Sequence, residues 1–339
     1  MSAVLAAARA LHFGATLLVF GETALALFVA RPAWRATKSA GVGWADIERR
    51  IRPVLAWALA ISVLSGIVWL ALEVPLMSGE PIEEAIAGPT LGIVVLDTWF
   101  GRVCIVRLAL AALFAWLLVR RAWLSPWGLL VGGAYLAAPA FAGHAAGGQG
   151  VEGAFRIAID MAHLVAAGAW VGALPGLVLV LRAARQAADA ASLDAAARAT
   201  RRFSALGAVA VAVIVASGVG NSVYMVGAWG EFTDTEYGRL LLAKLAVVAA
   251  MLSIAATNLL HLSPRVAKRD ARSVSALARN AMLETLGGIA VVGIVGLLGI
   301  TVPAEHAEHM EQMEHMDHRL HSDTSRAIIP NSPLHRHHG

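Results

Sequence analysis

Apolar segments of about 20 residues, each long enough to cross roughly 30 Å of hydrocarbon as a helix, limit the fold of this chain more than any other feature. Because they show no strand-like alternation, helices are the only spanning structure that satisfies their backbone polar groups. Hydrophobic residues make up 58% of the chain and charged residues only 15%, far from the balance of a soluble domain. Eight segments qualify: 4–30, 53–73, 99–119, 127–142, 155–181, 203–227, 239–261 and 280–302. We therefore predict an all-α polytopic membrane protein with eight transmembrane helices.

An internal repeat relates the two halves of the chain. His12 precedes Gly21 by nine residues in HFGATLLVFG, and His163 precedes Gly172 by nine residues in HLVAAGAWVG. Two further matches follow. Arg49-Arg50 and Ser65-Gly66 correspond to Arg201-Arg202 and Ser217-Gly218. The segment from Asp97 to Arg102, with Arg107 after it, corresponds to the segment from Asp234 to Arg239, with Lys244 after it. Repeated halves in membrane proteins place their substrate site where the halves meet. The sequence therefore predicts a site at the repeat interface.

The division into halves and the distribution of charge predict the topology. Four helices per half give two parallel four-helix repeats, residues 1–142 and 143–303, followed by a tail at 304–339. Arg and Lys are frequent in the connections 31–52, 182–202 and 263–280 and absent from 74–98, 143–154 and 228–238. By the positive-inside rule, both termini are expected in the periplasm of a bacterial inner membrane. These basic loops account for the sequence pI of 9.7, so no nucleic-acid partner is predicted.

The two repeat-related histidines are the first candidate metal ligands. His12 and His163 lie at one predicted depth, about 12 Å below the outer end of their helices at 1.5 Å per residue. An ionisable residue inside a membrane indicates a functional site, although a structural hydrogen bond to a neighbouring helix is the alternative. Imidazole binds copper, zinc and haem iron alike. His144, in AGHAAGG, and Met161 are added as candidate ligands near the same end of the bundle.

The tail favours copper among these metals. It contains eight of the twelve histidines of the chain, together with methionines, whose thioether sulfur prefers Cu(I). The candidate ligands in it are His306, His309, Met310, Met313, His315, Met316, His318 and His321. Such a low-complexity segment is expected to be disordered. The single cysteine, Cys104, lies in the third predicted helix and has no partner for a disulfide.

Several segments, in this order, resemble the CopD/PcoD copper-resistance family of bacterial inner-membrane proteins: HFGATLLVFG, AHLVAAGAWVGAL, YGRLLLAKLAVV, NLLHLSP and LETLGGIAVVGIVGLLG. The resemblance covers roughly residues 5–303 and excludes the tail. It implies copper uptake across the inner membrane, with a periplasmic CopC-like copper-binding protein as partner. The helix histidines of the family carry over to His12 and His163, and His144 is a third candidate. Because the chain has no CopC-like domain, that partner would be a separate protein.

Three functions remain open from the sequence. The first is a copper permease or relay with an outer site of His12, His163, His144 and Met161. The second is a protein that binds haem b through helix histidines and transfers electrons, which would make it an oxidoreductase such as a cupric reductase. The third is a copper-binding or assembly factor that does not transport. A homo-oligomer is compatible with all three.

The sequence also bears on how transport would be driven and on how a charged residue inside the membrane is paired. The chain has neither a P-loop nor an Asp-Lys-Thr-Gly phosphorylation motif, so we expect no ATPase and, unless haem is bound, no enzyme. Transport would then depend on the membrane potential, about 2.3 kcal/mol per charge per 100 mV, or on transfer to a partner. Glu22 is predicted to form an ion pair with Arg107 or Lys244, with a charge relay as the alternative.

Overall fold

All elements of the described chain are helical. The computed structural model describes residues 1–36, 42–142, 150–187, 189–225, 233 and 235–301. Within them run α1 (Ser2–Arg35), α2 (Trp44–Ser78), α3 (Ile82–Ala87), α4 (Pro89–Asp97), α5 (Trp99–Val119), α6 (Pro126–Ala137), α7 (Gly150–Ala187), α8 (Ala190–Met225), α9 (Glu236–Val266) and α10 (Ala271–Leu298). The predicted all-α class is confirmed.

Seven of these helices, α1, α2, α5, α7, α8, α9 and α10, are long and apolar enough to cross a membrane. The fourth predicted span, 127–142, corresponds to α6 and the 3₁₀ turn Ala138–Phe141 that follows it. Twelve residues extend about 18 Å as an α-helix, short of the roughly 30 Å of a hydrocarbon core. Pro139 lies in that turn, where its ring is compatible with the end of a helix. The count of eight spans stays a prediction.

The repeated DT…GR motif marks helix starts. Thr98 caps α5 by accepting a hydrogen bond from the Gly101 backbone N–H at 3.0 Å, and Thr235 caps α9 in the same way from Gly238, also at 3.0 Å. A threonine hydroxyl at this position satisfies one of the free N–H groups of the first turn. At Gly101 a side chain would overlap the main chain of Val94 and Val95. The third match of the repeat is therefore explained by local helix geometry.

The glycines of the histidine repeat lie where α1 crosses α7. A Cβ atom on Gly21 would overlap the main chain of Gly172, and one on Gly172 would overlap the main chain of Leu17. Small residues allow such close approach of membrane helices. Nine residues separate each histidine from its glycine, so each histidine lies about 13 Å along its helix from the crossing.

Helix α1 is the central element of the bundle. It packs against α2, α6, α7 and α10, and 72% of its most apolar part is buried, against 11% for α9. Its buried residues include both His12 and Glu22. In α8, α9 and α10 only 17%, 11% and 22% of the most apolar part is buried.

Candidate metal sites at two histidines

His12 is held by a backbone carbonyl of α2. Its Nδ1 atom lies 2.7 Å from the carbonyl oxygen of Ser62. Because a carbonyl only accepts, Nδ1 donates, and Nε2 is left with its lone pair. Nε2 is buried and has no hydrogen-bond partner, and the residue is only 2% exposed. This tautomer is the one that metal-ligating histidines adopt when a carbonyl orients them.

Aromatic rings enclose the His12 imidazole. The ring centroids of Trp69, Phe13 and Tyr135 lie 5.8, 6.1 and 6.2 Å from it. Tyr135, on the short helix α6, also donates to the Ser62 hydroxyl at 2.9 Å. On the α2 side, a Cβ atom at Gly66 would lie only 3.0 Å from His12 Nδ1. The glycine of the first Ser-Gly pair is therefore what lets the ring approach α2.

Two arginines surround the same aromatic cluster. The guanidinium carbons of Arg9 and Arg107 lie 4.9 and 5.3 Å from the Trp69 ring centroid. Trp69 donates through Nε1 to Glu73 at 2.9 Å. Arg107 is 6% exposed, and its Nε and Nη2 atoms have no hydrogen-bond partner. Its charge acts on the His12 ring. The immediate surroundings of His12 therefore carry two positive charges and one negative charge.

His163 is held by a side chain of α8. Its Nδ1 atom lies 2.9 Å from the Ser217 hydroxyl oxygen. That hydroxyl donates to the Val213 carbonyl at 2.6 Å, so it accepts from His163 Nδ1, and Nε2 again keeps its lone pair. Gly218 lies beside the ring, with a built Cβ atom 3.9 Å from Cε1. The serine of the second Ser-Gly pair thus holds His163, whereas His12 is held by the Ser62 carbonyl and only the glycine of the first pair lies beside its ring.

The charges around His163 differ from those around His12. His163 is half-buried, and the charge of Lys244 acts on it. Asp160 in turn acts on Lys244 and lies three residues before His163 on one helix face. In the internal repeat, where His163 follows His12 by 151 residues, Asp160 corresponds to Arg9. Where the first site has a second arginine, this one has a carboxylate.

The predicted ligands do not all converge. The hydrogen bonds and ring contacts described for His12 do not include His163, and the described residues contain no group of three or more His, Cys, Asp or Glu placed to hold a metal. Met161 lies about 200° around the helix from His163, so Asp160 is the better placed neighbour. Outside the described residues lie His144, His306, His309, Met310, Met313, His315, Met316, His318 and His321.

The predicted ion pair of Glu22 is wrong. Glu22 is fully buried, and neither carboxylate oxygen reaches a basic side chain. The carboxylate lies against Gly176 of α7, where a Cβ atom would overlap it. Arg107 is turned towards Trp69, and Lys244 interacts with Asp160. Arg107 and Lys244 lie near the two histidines, whereas Glu22 is ten residues farther along α1 than His12, about 15 Å at 1.5 Å per residue.

Five residues of the two sites escaped prediction: Arg9, Trp69, Glu73, Tyr135 and Asp160. Arg9 and Asp160 precede the two histidines by three residues each, a spacing that places side chains on one helix face. That signal was available in the sequence. The other three depend on how α2 and α6 rotate towards α1, for which the sequence carries no comparable signal.

Comparisons with known proteins agree with the predicted resemblance. Residues 197–298 match the family model described as Copper resistance protein D, and residues 1–154 match that of the Copper resistance protein D-like N-terminal domain. No solved structure matches.

Three relatives were found. Copper resistance protein D of Pseudomonas syringae pv. tomato is 34% identical over 70% of this chain and 82% of its own length. Copper transport protein CutJ of Bacillus subtilis is 27% identical over 85% of this chain and half of its own length. Inner membrane protein YebZ of Escherichia coli is 29% identical over 84% of this chain and 94% of its own length. With seven apolar helices of spanning length in its described part, the chain belongs to the copper resistance protein D family of multi-pass membrane proteins.

Proposed function

We propose that this protein handles copper in a bacterial inner membrane, binding the ion at His12 and His163 and relaying it across the bilayer. The observation that carries this proposal is shared by the two histidines. In each, Nδ1 donates to a neighbouring helix, to the Ser62 carbonyl or the Ser217 hydroxyl. Each Nε2 therefore keeps a lone pair, and neutral imidazole is a ligand for both oxidation states of copper. The names of two relatives, a copper resistance protein and a copper transport protein, support the choice of metal.

The charges support His163 as the entry site. A copper cation at His163 has Asp160 on the same helix face to offset the charge of Lys244. At His12 the ion meets Arg107 without a carboxylate on the same helix turn. His163 is also the more accessible of the two rings. We therefore propose that His163 receives copper first and that His12 is a weaker, later site.

We propose that copper is captured on the periplasmic side. In this proposal the chain has eight spans in two parallel repeats, 1–142 and 143–303, with both termini in the periplasm. The tail 304–339 and His144 would then concentrate copper at the entry side, alone or with a CopC-like partner. The inside-negative potential, about 2.3 kcal/mol per charge per 100 mV, favours inward movement of Cu(I) without an enzymatic cycle.

Metal content of purified protein tests the sites. The chain truncated after Pro303 is compared with the same chain carrying His12→Ala and His163→Ala, both by copper and iron analysis and by absorption spectroscopy. We expect about one equivalent of copper or more in the first and a loss of it in the second. Iron with an intense Soret band would favour haem b and electron transfer instead. If the truncated protein holds neither metal, the tail is the metal-binding element and the helix histidines are structural.

Flux measurements separate transport from binding. Protein reconstituted in liposomes containing a luminal Cu(I) chelator should accumulate copper faster under an inside-negative potential. The double histidine variant is the control for leakage. Copper binding without any flux above that control would identify a binding or assembly factor.

A further inference from the structure

A cavity of about 330 Å³ lies among α7, α8, α9 and α10, and neither histidine is among the residues that line it. Along α8 it extends from Val211, six residues from the Ser217 that holds His163, to Thr200, seventeen residues from Ser217, or from about 9 to about 25 Å at 1.5 Å per residue. Most of the lining is apolar, with the rings of Trp170 and Phe203 among it. A mostly apolar cavity with a few polar groups is the usual form of a small-molecule site.

The polar groups of this cavity include a buried carboxyl and an unsatisfied hydroxyl, beside Asn258 and Ser204, whose hydroxyl lies 3.3 Å from that of Ser263. Glu284, 2% exposed, accepts a hydrogen bond from Asn258 Nδ2 at 2.6 Å and one from the Trp170 side chain. Thr200 is 3% exposed, and its hydroxyl has no hydrogen-bond partner. Buried hydroxyl groups in proteins are nearly always hydrogen-bonded. A ligand that donates to Glu284 and accepts from Thr200 would satisfy both.

The surrounding structure holds this carboxyl in place. Asn280 donates to the Asn258 amide oxygen at 2.8 Å, which directs the amide NH₂ of Asn258 towards Glu284. Asn258 begins a π-helical turn, Asn258–Leu262, within α9. Such turns occur frequently at functional sites. A carboxylate has about four acceptor positions, so two remain for a ligand.

The lining chemistry excludes a copper site and a lipid chain. None of the lining residues, all within the described part of the chain, carries an imidazole, a thiol or a thioether, the groups that copper prefers. An acyl chain has no polar atom at its buried end and would leave Thr200 and Glu284 unsatisfied. The ligand must therefore combine an apolar body with a hydroxyl group.

Access to the cavity is from the bilayer. Its walls include α8 and α9, whose most apolar parts are only 17% and 11% buried, and the lining residue Leu259 is 46% exposed. A ligand that enters here is soluble in the membrane. We propose that the cavity binds a membrane quinol, its ring against Trp170 and Phe203, with a phenolic O–H that donates to Glu284 and accepts from the Thr200 hydroxyl.

Binding of a short-chain ubiquinol tests this proposal. The full chain in detergent is titrated under argon, with a copper chelator present, and binding is followed by calorimetry. We expect saturable binding that weakens at least tenfold in Thr200→Val, which removes the hydroxyl at nearly constant volume, and in Glu284→Gln. The control is Glu22→Gln, which changes the other fully buried acidic side chain of the described residues and is not one of the residues that line the cavity.

A cavity-filling variant keeps the test decisive if a polar variant fails to fold. A Cβ atom on Gly207 meets only the Trp170 ring edge, at 3.8 Å, so Gly207→Met extends into the cavity. We expect this variant to lose quinol binding while its thermal unfolding midpoint stays close to that of the unmodified chain. The absence of saturable binding to the unmodified chain would overturn the proposal. So would equal affinities in all variants, or binding of oleate that competes with the quinol and is insensitive to Thr200→Val.

Discussion

His12 and His163 have similar support but different electrostatic surroundings. Each lies nine residues from a glycine at the α1–α7 crossing. Each ring also lies beside a glycine of the helix that follows in the chain, α2 for His12 and α8 for His163, and donates through Nδ1 to that helix. Around His12 are aromatic rings and two guanidinium groups. Around His163 are a lysine and an aspartate. The helix contacts match in the two halves, whereas the charges differ.

This difference decides which site favours a cation. Two unit charges about 6 Å apart repel by about 3 kcal/mol at an effective dielectric constant of 20. The charge of Arg107 acts on the His12 ring and would repel a copper ion there, while Glu73 accepts a hydrogen bond from Trp69. At His163 the charge of Lys244 acts on the ring, and Asp160 acts on Lys244 with the opposite sign. The ligand atom, Nε2 of a histidine, is the same at both sites, so we expect the difference in copper affinity to come from the neighbouring charged side chains.

The feature common to both sites is the crossing of α1 and α7, and disrupting it should have the largest effect. Gly172→Leu would drive a side chain into the main chain of Leu17. Overpacking of this kind costs about 3 kcal/mol or more when backbone must move. We expect a large fall in the thermal unfolding midpoint and loss of copper at both histidines together.

Gly14→Ala is the matched control for that variant. A Cβ atom there meets only Val292, at an ordinary 3.6 Å, so we expect no loss of stability. If Gly172→Leu left the unfolding midpoint unchanged, the crossing would not be the shared support of the two sites.

Removing the histidines one at a time should separate the two sites by affinity. In the chain truncated after Pro303, we expect His163→Ala to weaken the tightest Cu(I) binding about 100-fold, equivalent to roughly 2.7 kcal/mol. His12→Ala should weaken it less than tenfold, because Arg107 already disfavours a cation there. Competition with a chromophoric Cu(I) chelator measures both, with His261→Ala as the control. The reverse order of effects would contradict the electrostatic comparison.

Neutralising Arg107 should reduce the difference in copper affinity between the two sites. In the His163→Ala background, Arg107→Gln removes the charge that acts on His12, and we expect Cu(I) affinity at His12 to rise about tenfold, roughly 1.4 kcal/mol. The chelator competition assay applies again. Arg102→Gln, a change at an exposed arginine of the same helix whose side chain donates to the Leu96 carbonyl, should have no such effect. Unchanged affinity in Arg107→Gln would mean that aromatic enclosure, rather than charge, limits His12.

Much of the fold could be predicted from the sequence, because segment length and composition fix membrane helices directly. The caps at Thr98 and Thr235 are local as well, and the repeat pointed to both of them. The role of Gly21 and Gly172 was not predictable, since a glycine match does not say which helices cross. The pairing proposed for Glu22 failed for a related reason: Arg107 packs at the level of His12, about 15 Å along α1 from Glu22, and the sequence does not fix how neighbouring helices align. Trp69, Glu73 and Tyr135 belong to the site only through tertiary packing.

The smallest expected effect concerns Asp160, the residue that most distinguishes the second site from the first. Asp160→Asn removes the charge that offsets Lys244 while it keeps the size of the side chain. We expect Cu(I) affinity at His163 to fall three- to tenfold, about 1 kcal/mol, because His163 is half-buried and solvent screens part of the interaction.

Glu152→Gln, on the same helix and paired with Arg156, is the matched control. Raising the salt concentration should shrink the Asp160→Asn effect but leave the His163→Ala effect intact, since one is a screened charge and the other a lost ligand. An Asp160→Asn loss as large as that of His163→Ala, and independent of salt, would instead make Asp160 a direct ligand of the metal.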